Sequence, residues 1–547
     1  MPKDSKRSDG SDSGTGLPLN RRQFVGAVGT SVPLALAGCT SSGDGNGGGG
    51  GSGGQGTTQG GSGGSAKSGG TLKWGGAVPV QGLDPHLDSS AASKRVLENI
   101  YEELVQLQPD YSLKPHLAKT LEKKENDTLL SMKLREGVKF HDGTEMTSED
   151  VMASYKRVEN GDYLATGFFK FVESLNAPDK HTFEVKLKKP FAPFIAKMAT
   201  AELAIMPKKK AQKKEVGKPV GTGPYQFESR EIDTSFTMTK FDDYWDGGGS
   251  DGPYIDKIVK SEITDPSVRL QSFQAGEYDF INGVAPKDVQ TVKQMNSARF
   301  EKQFPKSLVY LGLNCKRKPF DNKHARLALD FALDKKQIAE AALYGTGKPT
   351  ATPATPGSPW VNPDVKPRPR NKQKAKEHLK KAGMPDGYSA TFKIPQSYPT
   401  QVQAAKVISD QASDVGINLK IQKITWNSWL SNVYSKRNFQ ATTSSYLALW
   451  YPDVSFYKFL HPEGAFFFTG WTNEKYNKLV EEARHMYDEK KRAEKYHKAT
   501  EILHRERAGH LFLWWQANLY AGVNAYKGDM GAPDGSTLRF QNNWLDR

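Results

Sequence analysis

Four stretches of this chain have the spacing of a catalytic or nucleotide site, and each lacks the context its chemistry needs. Gly50-Gly51-Ser52-Gly53-Gly54 and Gly60-Gly61-Ser62-Gly63-Gly64 match the G-x-S-x-G arrangement of a nucleophilic serine. Such a serine is exposed and strained by a strand-to-helix turn, whereas both copies lie in a run of small and polar residues. Gly247, Gly249 and Gly252 have dinucleotide spacing. Pro253 and the strand-like Tyr254–Val259 follow them, where a helix N-terminus would have to hold the pyrophosphate. Gly347-Lys348 precedes Pro349, which lacks the hydroxyl of a magnesium-binding phosphate loop. No H-E-x-x-H occurs. His497, His504 and His510 lie on or beside a lysine-rich helix, where exposed histidines are expected. With two cysteines, Cys39 and Cys315, the chain carries neither a disulfide framework nor a four-cysteine zinc site. Cys315 is expected to be a packed, inert thiol. No catalytic residue, metal or cofactor is expected, and the chain reads as a non-enzyme.

A reaction is legible in the first forty residues. Arg21-Arg22 stand directly before an apolar, glycine-containing run from Val25 to Gly38, which ends in Leu36-Ala37-Gly38-Cys39. The run is too short to remain as a spanning helix. The arginine pair resembles a twin-arginine export signal, and the last four residues resemble a lipobox. The resemblance implies cleavage before Cys39 and lipidation of its sulfur, with stable anchoring by two acyl chains. Residues 1–39 are thus expected to be a signal peptide with a lipobox. Residues 40–70 are almost entirely Gly, Ser, Thr and Gln, which cannot bury apolar surface. They are expected to be a disordered tether with a span of roughly 30 Å. The expected location is the extracytoplasmic face of the cell membrane, at the cell surface or in a periplasm.

The elements beyond the tether must then position a site. At 547 residues the chain is long enough for two or three lobes. Its net charge of +15 could attract nucleic acid or anionic lipid. Lysines such as Lys208–Lys210, Lys490 and Lys491 instead suggest a solvated surface, and no nucleic-acid motif accompanies them. The apolar spacing predicts helices over Ser93–Leu104, Asp265–Gln274, Lys323–Leu343, Lys372–Ala382 and Gln401–Val415, and a mostly helical stretch over Thr472–Arg507. A capping box at Thr147–Asp150 opens a further helix. Strands are predicted over Leu129–Leu134, Thr182–Leu187, Ser307–Leu313, Ser389–Ile394, Asn418–Ile424 and His510–Tyr520. The alternation argues for an α/β class.

Several segments in this order carry a resemblance: Leu83-Asp84-Pro85; Leu134-Arg135-Glu136-Gly137-Val138-Lys139-Phe140-His141-Asp142-Gly143, followed by Thr147-Ser148-Glu149-Asp150-Val151; Gly221-Thr222-Gly223-Pro224-Tyr225 with Tyr244-Trp245; and Pro319-Phe320-Asp321 with Arg326-Leu327-Ala328-Leu329. From Thr71 to about Tyr520 the chain resembles family 5 extracellular solute-binding proteins, the oligopeptide, dipeptide and nickel class. That resemblance implies a bilobed periplasmic-binding-protein-like fold of type II, with an extra subdomain and hinge strands joining the lobes. Residues 71–115, 221–307 and 520–547 would form one lobe, 116–220 its subdomain, and 308–519 the other lobe. It implies a ligand held between the lobes, favouring a closed state, and delivery to an ABC permease with its ATPases by a monomeric binding protein.

In peptide-binding members of the family, a Trp-x-x-Asp-Tyr-type segment supplies an aspartate for the peptide's free amino terminus. Here the matching stretch is Leu447-Ala448-Leu449-Trp450-Tyr451-Pro452-Asp453. Aligning Tyr-Pro-Asp places Trp450 where the aspartate stands, with Asp453 three residues later. A tryptophan there favours stacking on a flat or apolar surface. The candidate ligand-binding residues are Trp450, Tyr451 and Asp453, then Tyr446, Trp426, Trp429, Trp514, Trp515, Tyr163 and Asp84. The expected ligand is a peptide or similar oligomer. An oligosaccharide or a metal chelate in the same fold stays open. So do two readings from other classes, a secreted hydrolase assembled from dispersed carboxylates and a sensing receptor or chaperone without transport.

Overall fold

The computed structural model describes residues 66–547 apart from Ser89, 247–251, 447–449, Pro533 and Ser536. The arginine pair, Cys39, the tether as far as Ser65, Gly247, Gly249 and Leu447–Leu449 lie outside the described residues.

The largest sheet has the order Ile417–Ile424, Tyr388–Pro395, Ala441–Tyr446, Ala298–Leu313, His510–Val523, Phe280–Asn282, Thr71–Gly76, Lys257–Glu262, Ser235–Lys240, Tyr225–Glu231. A short strand, Lys348–Pro349, pairs on the side with Trp514 and Trp515. Two long antiparallel strands, Ala298–Leu313 and His510–Val523, hold its two halves together. Their pairing is interrupted between Gln303 and Ser307 and resumes at Ser307 opposite Gln516. Both strands are longer than the apolar runs predict, because the outer part of Ala298–Leu313 is half-buried and carries no continuous apolar pattern.

A second, four-stranded antiparallel sheet has the order Ala118–Lys124, Leu129–Leu134, Thr182–Leu187, Val172–Asp179. Helix Ser148–Asn160 packs on it through Tyr155, whose ring meets Phe183 edge-on at 5.1 Å. The capping box forms as predicted, with Asp150 accepting from the Thr147 amide at 2.9 Å. In the other half, Tyr388–Pro395 and Ile417–Ile424 pair in parallel, linked by helix Pro399–Ser413, a βαβ crossover.

Three helical expectations shorten. Ser93–Leu104 becomes Ala91–Leu97, because the chain turns at Asn99 so that its carbonyl and that of Ile100 receive the amides of Tyr225 and Gly223. Lys323–Leu343 becomes Lys323–Ala332 and Lys335–Leu343, the second capped by Asp334 through the Gln337 amide. Thr472–Arg507 becomes Glu474–Arg484 and Glu489–Glu506, the second capped by Asp488. The histidine expectation is also corrected. None of the three is exposed. His497 meets the Pro359 carbonyl at 3.0 Å. His510 begins a strand and is fully buried, its ring 4.3 Å from Tyr310. Burial pushes it down to about 3.

One core lies beneath Thr71–Gly76, around Trp74, Ile100 and Phe280. Another lies in the half containing Leu329, Ile338, Phe392 and Trp514. The largest joins the four-stranded sheet to that second half, bringing Phe168, Phe169 and Tyr155 into one cluster with Tyr446, Trp450, Tyr451 and Trp515.

Candidate ligand-binding seam

The short motifs fold into a frame around one buried carboxylate. Gly221 and Gly223 cross so close to the preceding segment that a Cβ would stand 2.1 Å from the Ile100 carbonyl and 2.6 Å from that of Asn99. This approach, which no side chain permits, delivers Thr222 Oγ1 to Glu102 Oε2 at 2.8 Å. Tyr244 OH donates to Oε1 at 2.8 Å, Trp245 Nε1 donates to Oε2 at 2.9 Å, and His116 Nε2 lies 2.8 Å from Oε1. Burial alone would raise the Glu102 carboxyl. His116, with the bonds from Trp245 and Thr222, brings it below its usual range. Arg135 adds a guanidinium 4.7 Å from the Trp245 ring.

The largest core follows a seam where the four-stranded sheet closes on segment 450–495. Few polar contacts cross it. Phe191 N donates to Tyr487 OH at 3.2 Å, and His485 Nδ1 lies 2.6 Å from the Pro190 carbonyl. Nearby, Tyr111 OH donates to the Pro356 carbonyl at 3.1 Å. A cavity of about 740 Å³ opens along the seam, with Lys170, Phe171 and Lys189 on one wall and Tyr457, Arg484 and Lys495 on the other. Its size falls within the usual range for small-ligand sites.

One segment brings four of the predicted residues to the seam, Tyr446, Trp450, Tyr451 and Asp453, and Trp429 and Trp515 belong to the same cluster. Tyr446 stacks on Phe459 at 3.9 Å, and Trp450 leans on Tyr451 at 5.4 Å. Among the described residues, the hydroxyls of Tyr446 and Tyr451 are buried without a hydrogen-bond partner, as is Asp453 Oδ2. Asp453 Oδ1 is held by Arg484 Nε, and the Arg484 guanidinium lies 3.5 Å from the Tyr457 ring centre. Burial holds the Tyr451 phenol well above its ordinary range, with the Asp453 charge adding to it. Lys458 projects from the same segment to 5.1 Å from the Phe168 ring. Burial, then Lys197, lowers its ammonium to about 8 against the pull of Asp453 and Glu202.

The other predicted residues are placed differently. Trp426 and Trp429 stack at 5.0 Å, and Trp429 Nε1 donates to Thr442 Oγ1 at 2.8 Å. Trp514 and Trp515 cannot line one surface, because consecutive strand residues point to opposite faces. Trp515 joins the seam cluster, while Trp514 packs among Leu329, Ile338 and Phe392. Asp84 is bound by Arg157, whose Nη1 donates to Oδ1 at 3.0 Å, and Tyr163 covers that guanidinium at 4.4 Å. These two form a separate group with His86. Cys315 is half-buried as expected, its thiol pushed up to about 11 by burial. Arg484 and Lys458 were not legible as site residues. The available signal is positional: Arg484 continues the buried helical stripe of Val480 and Ala483.

Residues 112–467 match the family described as bacterial extracellular solute-binding proteins, family 5 Middle. This chain belongs to that family. Among similar proteins, the glutathione-binding protein GsiB of Escherichia coli is 30% identical over 346 residues. The match covers 62% of this chain and 66% of GsiB. The structure of the periplasmic binding protein DppA from Helicobacter pylori in complex with the peptide STSA is similar at 25% identity, with a TM-score of 0.73 over 88% of this chain and 99% of DppA. NikA from Brucella suis in complex with Fe(III)-EDTA shares the fold at 21% identity, with a TM-score of 0.77 over 87% of this chain and 99% of NikA. The mixed α/β, type II binding-protein fold is thereby established. No helix among the described residues is long and apolar enough to cross a membrane.

Proposed function

We propose that this protein is the extracytoplasmic binding component of an ABC importer, capturing a short peptide or similar small oligomer between two lobes and handing it to a membrane permease. The observation that carries this reading is the seam. Aromatic side chains and unpartnered buried polar atoms meet there, between two bodies joined through a pair of long strands. Polar groups without partners are costly when buried, and a bound ligand that completes them favours the closed arrangement. The glutathione and peptide named for GsiB and DppA support a peptide-sized ligand.

In this reading the lobes comprise 71–115 with 221–307 and 520–547, a subdomain of 116–220, and 308–519. Residues 1–39 are an export signal ending at a lipidated Cys39, and 40–70 tether a monomer to the membrane. The protein turns nothing over. Tyr446, Trp450, Tyr451 and Trp515 form the aromatic wall, with Trp426 and Trp429 behind it. Thermal unfolding against glutathione, short peptides, maltotriose and Fe(III)-EDTA tests the reading. A ligand at one hundred times its dissociation constant adds about 2.7 kcal/mol of stability. Release of cleaved product, or no shift with any of these compounds, counts against it.

A further inference from the structure

A second cavity, of about 420 Å³, shares no lining residue with the one along the seam. It lies at the outer ends of the long strands, past Leu313, which faces Ala441, and past His510, which faces Gly312. Asn314 on its wall is roughly 20 Å along the strand from Ser307. Four cations line this cavity, Lys316, Arg317, Lys436 and Arg437, all exposed, and no carboxylate does. Phe467, Phe468 and Pro462 give it apolar surface. Exposed lysines elsewhere find a carboxylate, as Lys180 does in Glu145, Lys208 in Glu149 and Lys372 in Asp414. Among the described residues, none of the four cations is within ion-pairing distance of one. The acids nearest in sequence are Asp321, Glu463 and Glu474. None of them lines the cavity, and Glu463 accepts instead from Tyr457 OH at 3.0 Å.

The fold sets the loops that carry these cations. Asn314 is buried, and its Nδ2 donates to the carbonyls of Arg437 and Phe439, at 3.0 Å each. Its Oδ1 accepts from the Lys316 amide at 3.0 Å. One buried amide thus fixes Lys316 and Arg437 against each other. Arg437 is held at a φ of 52°, a left-handed conformation that side chains adopt rarely. Cys315 N donates to the Thr469 carbonyl at 2.8 Å. Next to it, a Cβ on Gly470 would stand 2.7 Å from Lys316 Cγ, so the missing side chain lets Lys316 lie across that loop. Arg317 Nη1 donates to Asn438 Oδ1 at 3.0 Å, and Arg437 Nη2 donates to the Phe467 carbonyl at 3.4 Å. Each guanidinium keeps further donors. The Lys316 and Lys436 ammoniums have no hydrogen-bond partner among the described residues. Like charges gathered around a cavity repel one another and concentrate an anion there.

We propose that this cavity is a second binding site, for a phosphate-bearing anion, with Lys316, Lys436 and the remaining guanidinium donors of Arg317 and Arg437 holding the phosphate. A phosphate group fits the set because it carries close to two negative charges and three strong acceptor oxygens, and guanidiniums bind it bidentately. The apolar lining suits the rest of an ester. The site goes beyond the binding-protein reading and does not depend on it.

The test is calorimetry of the full chain with inorganic phosphate, pyrophosphate and glycerol 3-phosphate, beside sedimentation with vesicles of phosphatidylcholine alone or mixed with phosphatidylglycerol. One variant combines Lys316→Gln with Lys436→Gln. A control equal in charge combines Lys209→Gln with Lys490→Gln. All four lysines are exposed, so both variants should keep the wild-type melting temperature within a few degrees. The expected result is binding of at least one phosphate compound, or of the phosphatidylglycerol vesicles, weakened about tenfold to a hundredfold in the cavity variant. The control should change it by less than about twofold. Binding of soluble compounds without vesicles assigns a free phosphate ester, and vesicle binding that requires phosphatidylglycerol assigns a lipid headgroup. Equal weakening in the two variants means a diffuse basic surface and overturns the site. Binding kept in the cavity variant places the anion elsewhere, the lysines of the seam included, and overturns it too, as does no binding of any probe. Each of these outcomes leaves the seam and its peptide-sized ligand untouched.

Discussion

Glu102 and Asp453 are both buried carboxylates, and the molecule treats them in opposite ways. Glu102 collects four partners from three places in the chain, and both of its oxygens are engaged. Asp453 is held on one oxygen by Arg484, has no partner for the other among the described residues, and sits beside the Tyr451 phenol, which is equally bare there. The first is a finished frame that fixes one geometry. The second is an incomplete polar set whose last partners must come from elsewhere. Low dielectric raises the stakes for both, since a satisfied network rigidifies while an unsatisfied one stays costly.

That contrast can be broken most forcefully at the frame. Glu102→Ala strands four donors and should cost about 3–5 kcal/mol of stability, read as a large drop in melting temperature with the ligand preference of the surviving fold unchanged. An altered preference would merge frame and site. At the seam, Asp453→Asn or Arg484→Met alone should destabilise by about 3 kcal/mol, because each leaves a buried partner uncompensated. The double change Asp453→Leu with Arg484→Met should recover much of that. A double-mutant cycle showing simple additivity would mean the pair is not the unit described.

A smaller effect separates a bare ring from a bonded one. His510 titrates at about 3 when folded against an ordinary 6.5. The unfolded chain therefore binds more protons between these values, and stability falls as pH drops from 6.5 toward 3. Glu103, raised by burial to about 7, pulls the other way between its ordinary 4.5 and 7. The histidine share is best read as a difference: His510→Phe should gain on the wild type steadily below pH 6.5. A constant difference across that range would contradict the assignment. The smallest effect is the most specific. Tyr446→Phe and Tyr451→Phe remove hydroxyls that have no hydrogen-bond partner among the described residues, so the ligand-free stability should change by less than about 0.5 kcal/mol. Ligand affinity should fall by about 1 kcal/mol if those hydroxyls meet ligand.

The fold was legible to the extent that its residues serve the frame. Gly221-Thr222-Gly223, Tyr244-Trp245 and Arg135 are tied together by close approach and directional contacts, so their types are dictated and stand out as short motifs, whereas His116 and Glu102, which complete the frame, lie in no such motif. The strands Leu129–Leu134 and Thr182–Leu187 were placed to the residue by alternation. Helix ends were not, because Asn99, Asp334 and Asp488 end or restart helices through contacts made elsewhere in the chain. The seam was half legible. Tyr446, Trp450 and Tyr451 were found through one segment, and Trp515 through its strand, but Trp514 came with it because a doublet looks alike until alternation divides it. Arg484 and Lys458 were invisible among 76 lysines and arginines, since what distinguishes them is the company they keep in space.

The gap in the two long strands also has a mechanical meaning. Ladder hydrogen bonds stiffen a strand pair against bending, and between Gln303 and Ser307 that reinforcement is missing, the longest interruption in the pair, with a shorter irregularity at Val309/Tyr310. Flexure concentrated at those residues would spend no backbone bond. The work of parting the halves would fall on the side-chain contacts across the seam, and a small displacement at the gap would be geared into the largest swing at the rim.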